Sequence, residues 1–163
     1  MAHVIIDPMR ASDWEQVNAI YLEGIRSGHS TFETDAPSWE TWDERHLQFA
    51  RFVMRDGETI LGWAALSPVS KRHVYRGVAE VTVYVSENAQ GQGIGRALLE
   101  ALIDESERNG VWTLQASIFP ENSASVRLHL RCGFREVGRR ERIAVLNGVW
   151  RDTLLFERRA ADR

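Results

Sequence analysis

Glu80-Val81-Thr82-Val83-Tyr84-Val85-Ser86-Glu87-Asn88-Ala89-Gln90-Gly91-Gln92-Gly93-Ile94-Gly95-Arg96 is the stretch that decides the fold. Its first six residues alternate, with Val81, Val83 and Val85 on one side, which is the period of a strand. After it, Ile94, Leu98, Leu99, Leu102 and Ile103 recur at the spacing of one helical face. Gly91, Gly93 and Gly95 leave the head of that helix without side chains. First-turn N–H groups have no backbone partner, and together with the positive helix end they make a cradle for a pyrophosphate. A phosphate-bearing cofactor is therefore expected.

Spacing narrows the choice. A dinucleotide fingerprint needs Gly-x-Gly-x-x-Gly, but Arg96 or Leu98 stands where its third glycine would be. A P-loop needs Gly-Lys-Ser/Thr, which the chain lacks. What fits is Gln90-x-x-Gly93-x-Gly95 followed by Arg96. At this point the chain resembles the GCN5-related N-acetyltransferase (GNAT) superfamily, whose members use this loop for the pyrophosphate of acetyl-CoA. The resemblance implies an α/β (α+β) fold with a mixed, mostly antiparallel central sheet of about seven strands and helices on both faces. It also assigns Gln90, Gly91, Gln92, Gly93, Ile94, Gly95 and Arg96 to the cofactor. A splay beyond the Glu80–Val85 strand would turn the backbone N–H groups of Val83, Tyr84 and Val85 toward the pantetheine arm, one of them donating to the thioester oxygen.

At 163 residues, the chain reads as a single domain, residues 1–163, large enough for a full hydrophobic core. Twenty basic against 23 acidic residues give no overall field for nucleic acid or a membrane surface. The one cysteine, Cys132, rules out an internal disulfide and suits a reducing compartment. No apolar run approaches a membrane span and no signal-peptide pattern opens the chain, so a cytoplasmic location is expected. The histidines and the cysteine lack ligand spacing, and no metal site is expected.

Around the central stretch, His3 to Ile6 reads as a strand. Ser12 and Glu15 form a capping box for a helix that turns Val17, Ile20, Tyr21 and Ile25 inward and weakens at Gly24 and Gly28. Ser38 caps a second helix carrying Trp39, Trp42, His46 and Phe49. Phe52–Met54 and Thr59–Leu66 flank the hairpin signal Asp56-Gly57. Asn109-Gly110 stops the long helix, Val111–Ile118 reads as a strand and Asn122–Arg131 as a short helix. Phe134–Val137 and Val149–Phe156 are the last strands, and Arg158–Arg163 a solvated tail. The order β-α-α-β-β-β-α-β-α-β-β is that of the acetyltransferase fold.

Acyl transfer to an amine requires removal of a proton, and a carboxylate beside the incoming nitrogen can accept it. Glu80 alternates with the strand's valines and points the other way, together with Thr82. By spacing alone it is equally a solvent-facing glutamate. Arg72-His73-Val74-Tyr75 followed by Glu80-Val81-Thr82-Val83-Tyr84-Val85 resembles a stretch of the phosphinothricin and methionine sulfoximine acetyltransferases, with Val74 in place of a small alanine. That resemblance makes Glu80 the general base and an acceptor contact, beside Thr82. Arg72 becomes a cation for the acceptor's anionic end, and Phe32, in Ser30–Thr34, a wall of the acceptor pocket.

Asn122, Ser125 and His129 share one helical face. Asn122 fits an N-cap, and the resemblance adds a cofactor contact. His129 stands where many relatives carry a tyrosine that protonates the leaving thiolate; an ordinary imidazole is roughly a quarter protonated at pH 7. A packing histidine fits the position as well. Asn147-Gly148-Val149-Trp150-Arg151-Asp152 resembles the subfamily's Gly-x-Trp-x-Asp segment, with Leu146 in place of a lysine and Leu22 in place of an asparagine. Direct transfer from acetyl-CoA to the α-amine of a small amino-acid-like acceptor is the implied reaction, and a homodimer the implied assembly. The rival readings are an acetyltransferase for a protein N-terminus or another amine, and a non-catalytic acyl-CoA sensor.

Overall fold

The computed structural model describes residues 4–161. Seven strands form one sheet in the order β1-β2-β3-β4-β5-β7-β6. The strands are β1 (Val4–Pro8), β2 (Phe52–Asp56), β3 (Thr59–Pro68), β4 (Val78–Val85), β5 (Thr113–Ile118), β6 (Arg135–Leu146) and β7 (Val149–Arg159). Four helices join them: α1 (Trp14–Ser27), α2 (Trp39–Arg45), α3 (Ile94–Arg108) and α4 (Ser123–Arg131). Only the β4–β5 pair is parallel; every other neighbour is antiparallel. The element order and the mixed sheet are those expected. His3, placed in the first strand by the sequence, lies outside the described residues.

The sheet has a core on each face, because side chains alternate along β3 and β4. On one face Ala64, Leu66 and Val81 meet Ile94, Leu98, Leu99 and Leu102 of α3. On the other, Trp63 and Ala65 meet Val17 and Ile20 of α1 and Trp42 of α2, with Tyr21 and Tyr84 packed alongside. The face of β4 that carries Glu80 and Thr82 is thus an interior face, which makes Glu80 half-buried rather than solvent-facing.

Local expectations fail where distant contacts prevail. Ser12 and Glu15 do not form the capping box. Ala11–Asp13 instead make a 3-10 turn in which Asp13 accepts the Arg10 N–H (3.0 Å). The half-buried Arg55 guanidinium draws Asp13 inward, with bonds of 3.2 and 3.0 Å to its two oxygens. Ser38 does cap α2, accepting from the Thr41 N–H, but the helix ends at Arg45 with His46 extended. Strand β6 runs far past Val137. Gly138 and a charged run hide its alternation, and its ladder with β7 is irregular between Arg140 and Ala144. Asp152 holds that irregularity by accepting from the Arg142 N–H and Arg139, contacts that keep its carboxyl below the usual range. Arg158 and Arg159 belong to β7, Arg158 pairs with Glu107 and Ala160 is buried, so most of the expected tail is ordered. Asp162 and Arg163 lie outside the described residues.

Gly24 does not weaken α1, which continues to Ser27 and ends at Gly28 with φ 74°. A Cβ at Gly24 would lie 2.4 Å from the Tyr84 ring. That ring stacks on Trp63 and packs tilted against Tyr21, which restricts where it can yield. Gly24→Val is therefore expected to overpack this face by about 1–3 kcal/mol and lower the melting temperature by several degrees; an unchanged melting curve would refute the close approach.

Candidate active site

The parallel ladder between β4 and β5 pairs Val78 with Thr113, Ala79 with Leu114 and Glu80 with Gln115, then stops. Beyond Glu80, β5 continues beside β7 while β4 stays with β3. Ser86 N–H donates to Leu61 O (2.8 Å) across the β3 side. Alternation therefore turns the N–H of Tyr84 toward β3 and those of Val83 and Val85 toward the side β5 has left. Of the three backbone donors expected at the cofactor, Val83 and Val85 face the gap. Tyr84 contributes its ring to the cavity wall instead.

Glu80 sits at the branch point. Its Oε1 accepts from Gln115 Nε2 (3.1 Å), which fixes the carboxylate, and the second oxygen makes no hydrogen bond among the described residues. The gap opens into a cavity of about 1360 Å³ lined by Glu80, Thr82, Val83 and Val85 among others.

At one end of the cavity is the glycine loop. Gly91 and Gly93 have φ of 75° and 79°, a conformation that suits glycine, and a Cβ on either would point into open space. Gly93 stands at the head of α3 with no side-chain cap, so the first-turn N–H groups at Ile94, Gly95 and Arg96 keep no backbone acceptor. Gln90 donates to Val85 O (3.0 Å), tying the loop to the end of β4. Arg96 lines the cavity while paired with Glu100 (2.9 Å); Gln92 is exposed and outside the lining. Asn122 caps α4 by accepting from Ser125 N–H (3.2 Å), and also lines the cavity. Bare helix-head donors, glycines without side chains and the strand edge of Val83 and Val85 fit a pyrophosphate with an extended pantetheine arm.

The opposite end is aromatic. Tyr21, Tyr84, Trp63, Trp42 and His46 form a continuous series of ring contacts with centroids 4.0–5.7 Å apart. The indole N–H groups of Trp42 and Trp63 are buried without a hydrogen-bond partner, so ring contacts and apolar burial hold this wall. Burial pushes the Tyr84 and Tyr21 hydroxyls up and the His46 imidazole down, leaving all three uncharged near neutrality. Phe32 lies edge-on to Phe119 (4.8 Å) and lines the cavity. Arg72 does not reach it: it is exposed, with its guanidinium 5.4 Å from the Tyr75 ring, because the turn at His73–Tyr75 carries it outward. Arg45, next to His46 and Tyr21, is a cavity-lining cation with no carboxylate partner among the described residues. Sequence spacing gave no sign of Arg45, which enters through the packing of α2.

His129 lines the cavity but is buried, its Nδ1 donating to Ser125 O (2.7 Å) and its ring edge-on to Phe134. Burial pushes its pKa down, more than the Ser125 carbonyl restores. The protonated share at pH 7 is therefore smaller than that of an ordinary imidazole, and in the neutral ring Nε2 is an acceptor.

The acetyltransferase (GNAT) family model matches residues 14–134. The chain belongs to this family. As a member it is an acetyl-CoA-dependent N-acetyltransferase. A phosphinothricin N-acetyltransferase of Alcaligenes faecalis is 34% identical over 161 residues, covering 92% of this chain and 79% of the relative. Another, from Streptomyces coelicolor, is 31% identical over 165 residues and 96% of each chain. Among solved structures, a GNAT phosphinothricin acetyltransferase from Sinorhizobium meliloti in complex with acetyl-CoA superposes with a TM-score of 0.86 at 27% identity, covering 96% of this chain and 88% of that one.

For this acetyltransferase, the carbonyl bond and burial at His129 give a direct expectation. Its imidazole should titrate below the ordinary value of about 6.5 and hold its proton on Nδ1 at pH 7. Nitrogen-detected NMR reads both; titration at or above that value would return His129 to the list of proton donors.

Proposed function

We propose that one acetyltransferase domain, residues 1–163, transfers acetyl from acetyl-CoA to the α-amine of a small amino-acid-like acceptor of the phosphinothricin, methionine sulfoximine or methionine sulfone type. The observation that carries this reading is Glu80 at the end of the β4–β5 ladder, half-buried and with one oxygen free, in the same cavity as the glycine loop. The names of the relatives favour the acceptor class.

Acetyl-CoA supplies an acetyl group activated as a thioester. Glu80 accepts the proton that the acceptor amine must lose, directly or through water. The N–H groups of Val83 and Val85 offer donors for the charge that develops on the acyl oxygen. Thr82 shares Glu80's face and contacts the acceptor, Phe32 walls it, and Asn122 supports the pantetheine arm. Arg45 takes over the part expected of Arg72, gripping the acceptor's anionic end from the aromatic side. With Nδ1 donating to Ser125 O, His129 offers only an accepting Nε2, so the weakly basic CoA sulfur leaves as the thiolate while the amine's proton stays on Glu80 until solvent takes it. The reducing compartment suggested by the single cysteine is consistent with a cytoplasmic enzyme. A homodimer is proposed on the exposed Val145, Val149 and Trp150 of the β6–β7 hairpin.

Thiol release from acetyl-CoA, followed across phosphinothricin, methionine sulfoximine, methionine sulfone, common amino acids, polyamines and short peptides, tests the acceptor class. Release with the first three alone is the expected pattern; release with peptides or polyamines alone would overturn it, and none with any acceptor would favour a sensor. On the responding acceptor, Glu80→Gln should lower kcat by about 100-fold or more and leave the acetyl-CoA Kd near wild type. His129→Phe should cost far less. Arg45→Ala should raise the acceptor KM while Arg72→Ala leaves it unmoved; the reverse order would restore Arg72 to the pocket.

A further inference from the structure

Between Gly28 and Ser38 the chain passes over the acceptor end without regular structure. No backbone–backbone hydrogen bond joins residues 29–37 to the rest of the described chain. Side chains hold this loop, and the most heavily engaged belongs to Arg151 on β7, far away in sequence.

The Arg151 side chain is 12% exposed. Its Nη1 donates to Gly28 O (2.9 Å) and its Nη2 to His29 Nδ1 (3.3 Å). Nε and Nη2 both donate to Glu121 Oε1, at 3.3 and 3.0 Å. The face of the guanidinium lies 4.2 Å from the centroid of Phe119, the ring on which Phe32 rests. Asn122 adds a bond from Nδ2 to His29 O (3.2 Å). The grip falls where the chain leaves α1, at Gly28 with its φ of 74°. One planar group thus joins the end of α1, the loop after β5 and the start of β7, a task that suits a fork of fixed donors and no ammonium.

We propose that Arg151 is a positioning residue for the acceptor: it holds the start of the 28–37 loop so that Thr31 and Phe32 face the cavity. It occupies an x position of the Gly-x-Trp-x-Asp segment, where motif reading passes over it. The consequence for acceptor binding rests on the function proposed above; the tether itself does not.

Hydrogen–deuterium exchange on the whole protein tests the tether without any substrate. In Arg151→Ala, the hydrogen-bonded amides of Gly28, His29 and Glu33 should lose protection while those of β3 and β4 keep theirs; unchanged protection at these three would overturn the proposal. Arg151→Lys keeps the charge but lacks the fork, and should show the same loss should the alanine variant fold poorly. With an acceptor in hand, both variants should raise its KM about tenfold while the acetyl-CoA Kd stays within about twofold. Added ethylguanidinium should restore part of the loss in the alanine variant. A loosened loop with an unchanged acceptor KM would overturn the positioning role, and an equal loss of affinity for both substrates would mark Arg151 as a general fold contact. If no acceptor is turned over by the wild type, exchange alone still decides the tether, and only the function reading fails.

Discussion

The site depends on a parallel ladder that breaks off after Glu80 and Gln115. Strands in the middle of a sheet normally satisfy both edges, and an unpaired buried edge is costly. Here β4 keeps β3 on one edge and loses β5 on the other from Val81 onward. The freed donors at Val83 and Val85 therefore need a partner that can lie along the strand. A pantetheine arm carries amides that could pair with such a strand edge, so its binding there would repair the sheet. The same divergence creates the cavity and puts the last paired side chain, Glu80, at its apex. One change of pairing thus generates the groove, its polar rim and the candidate base.

What keeps β4 straight while its neighbour departs is packing on both faces. Val81, Val83 and Val85 lie with α3 on one side, and on the other Tyr84 stacks on Trp63 and packs tilted against Tyr21. Aromatic pairs contribute about 0.5–1.5 kcal/mol each beyond their burial, and the series from Tyr21 to His46, part stacked and part tilted or edge-on, applies this repeatedly. Gly24 belongs to the same device, since its missing side chain lets α1 close on the Tyr84 ring. The aromatic wall of the cavity and its valine edge are therefore the two sides of a single strand.

The sequence was most informative where function and local chemistry coincide. Gln90–Arg96 could be read because glycines with positive φ at a helix head leave a mark in composition, and Glu80 because strand alternation separates it from the valines. Asn122 could be read as a cap for the same local reason. Arg72 was placed by resemblance, and the turn at His73–Tyr75 faces it outward, away from the cavity lining. Tyr84 was placed correctly on its strand, but alternation gives its N–H to β3, a distinction that requires the register. His129 keeps its place in the cavity, while its burial works against the charge that an acid would need. Ser12 and Glu15 match a capping pattern that Arg55 overrides from 42 residues beyond Asp13.

What escaped the sequence shares one trait: it is made by side chains from elements far apart in the chain. Arg45 comes from the end of α2, and Arg151 reaches Gly28 and His29 across more than 120 residues. This division follows from the chemistry that each end must perform. A pyrophosphate is recognised by backbone donors, so its site is encoded in a short local segment whose residues must be small. An acceptor is recognised by shape and a few side chains, so its site can be assembled from whichever elements converge and can change without disturbing the glycine loop. A family that keeps one cofactor while varying its acceptors would be expected to place the two recognition tasks on separate architectures, and the splay after Glu80 is where this chain joins them.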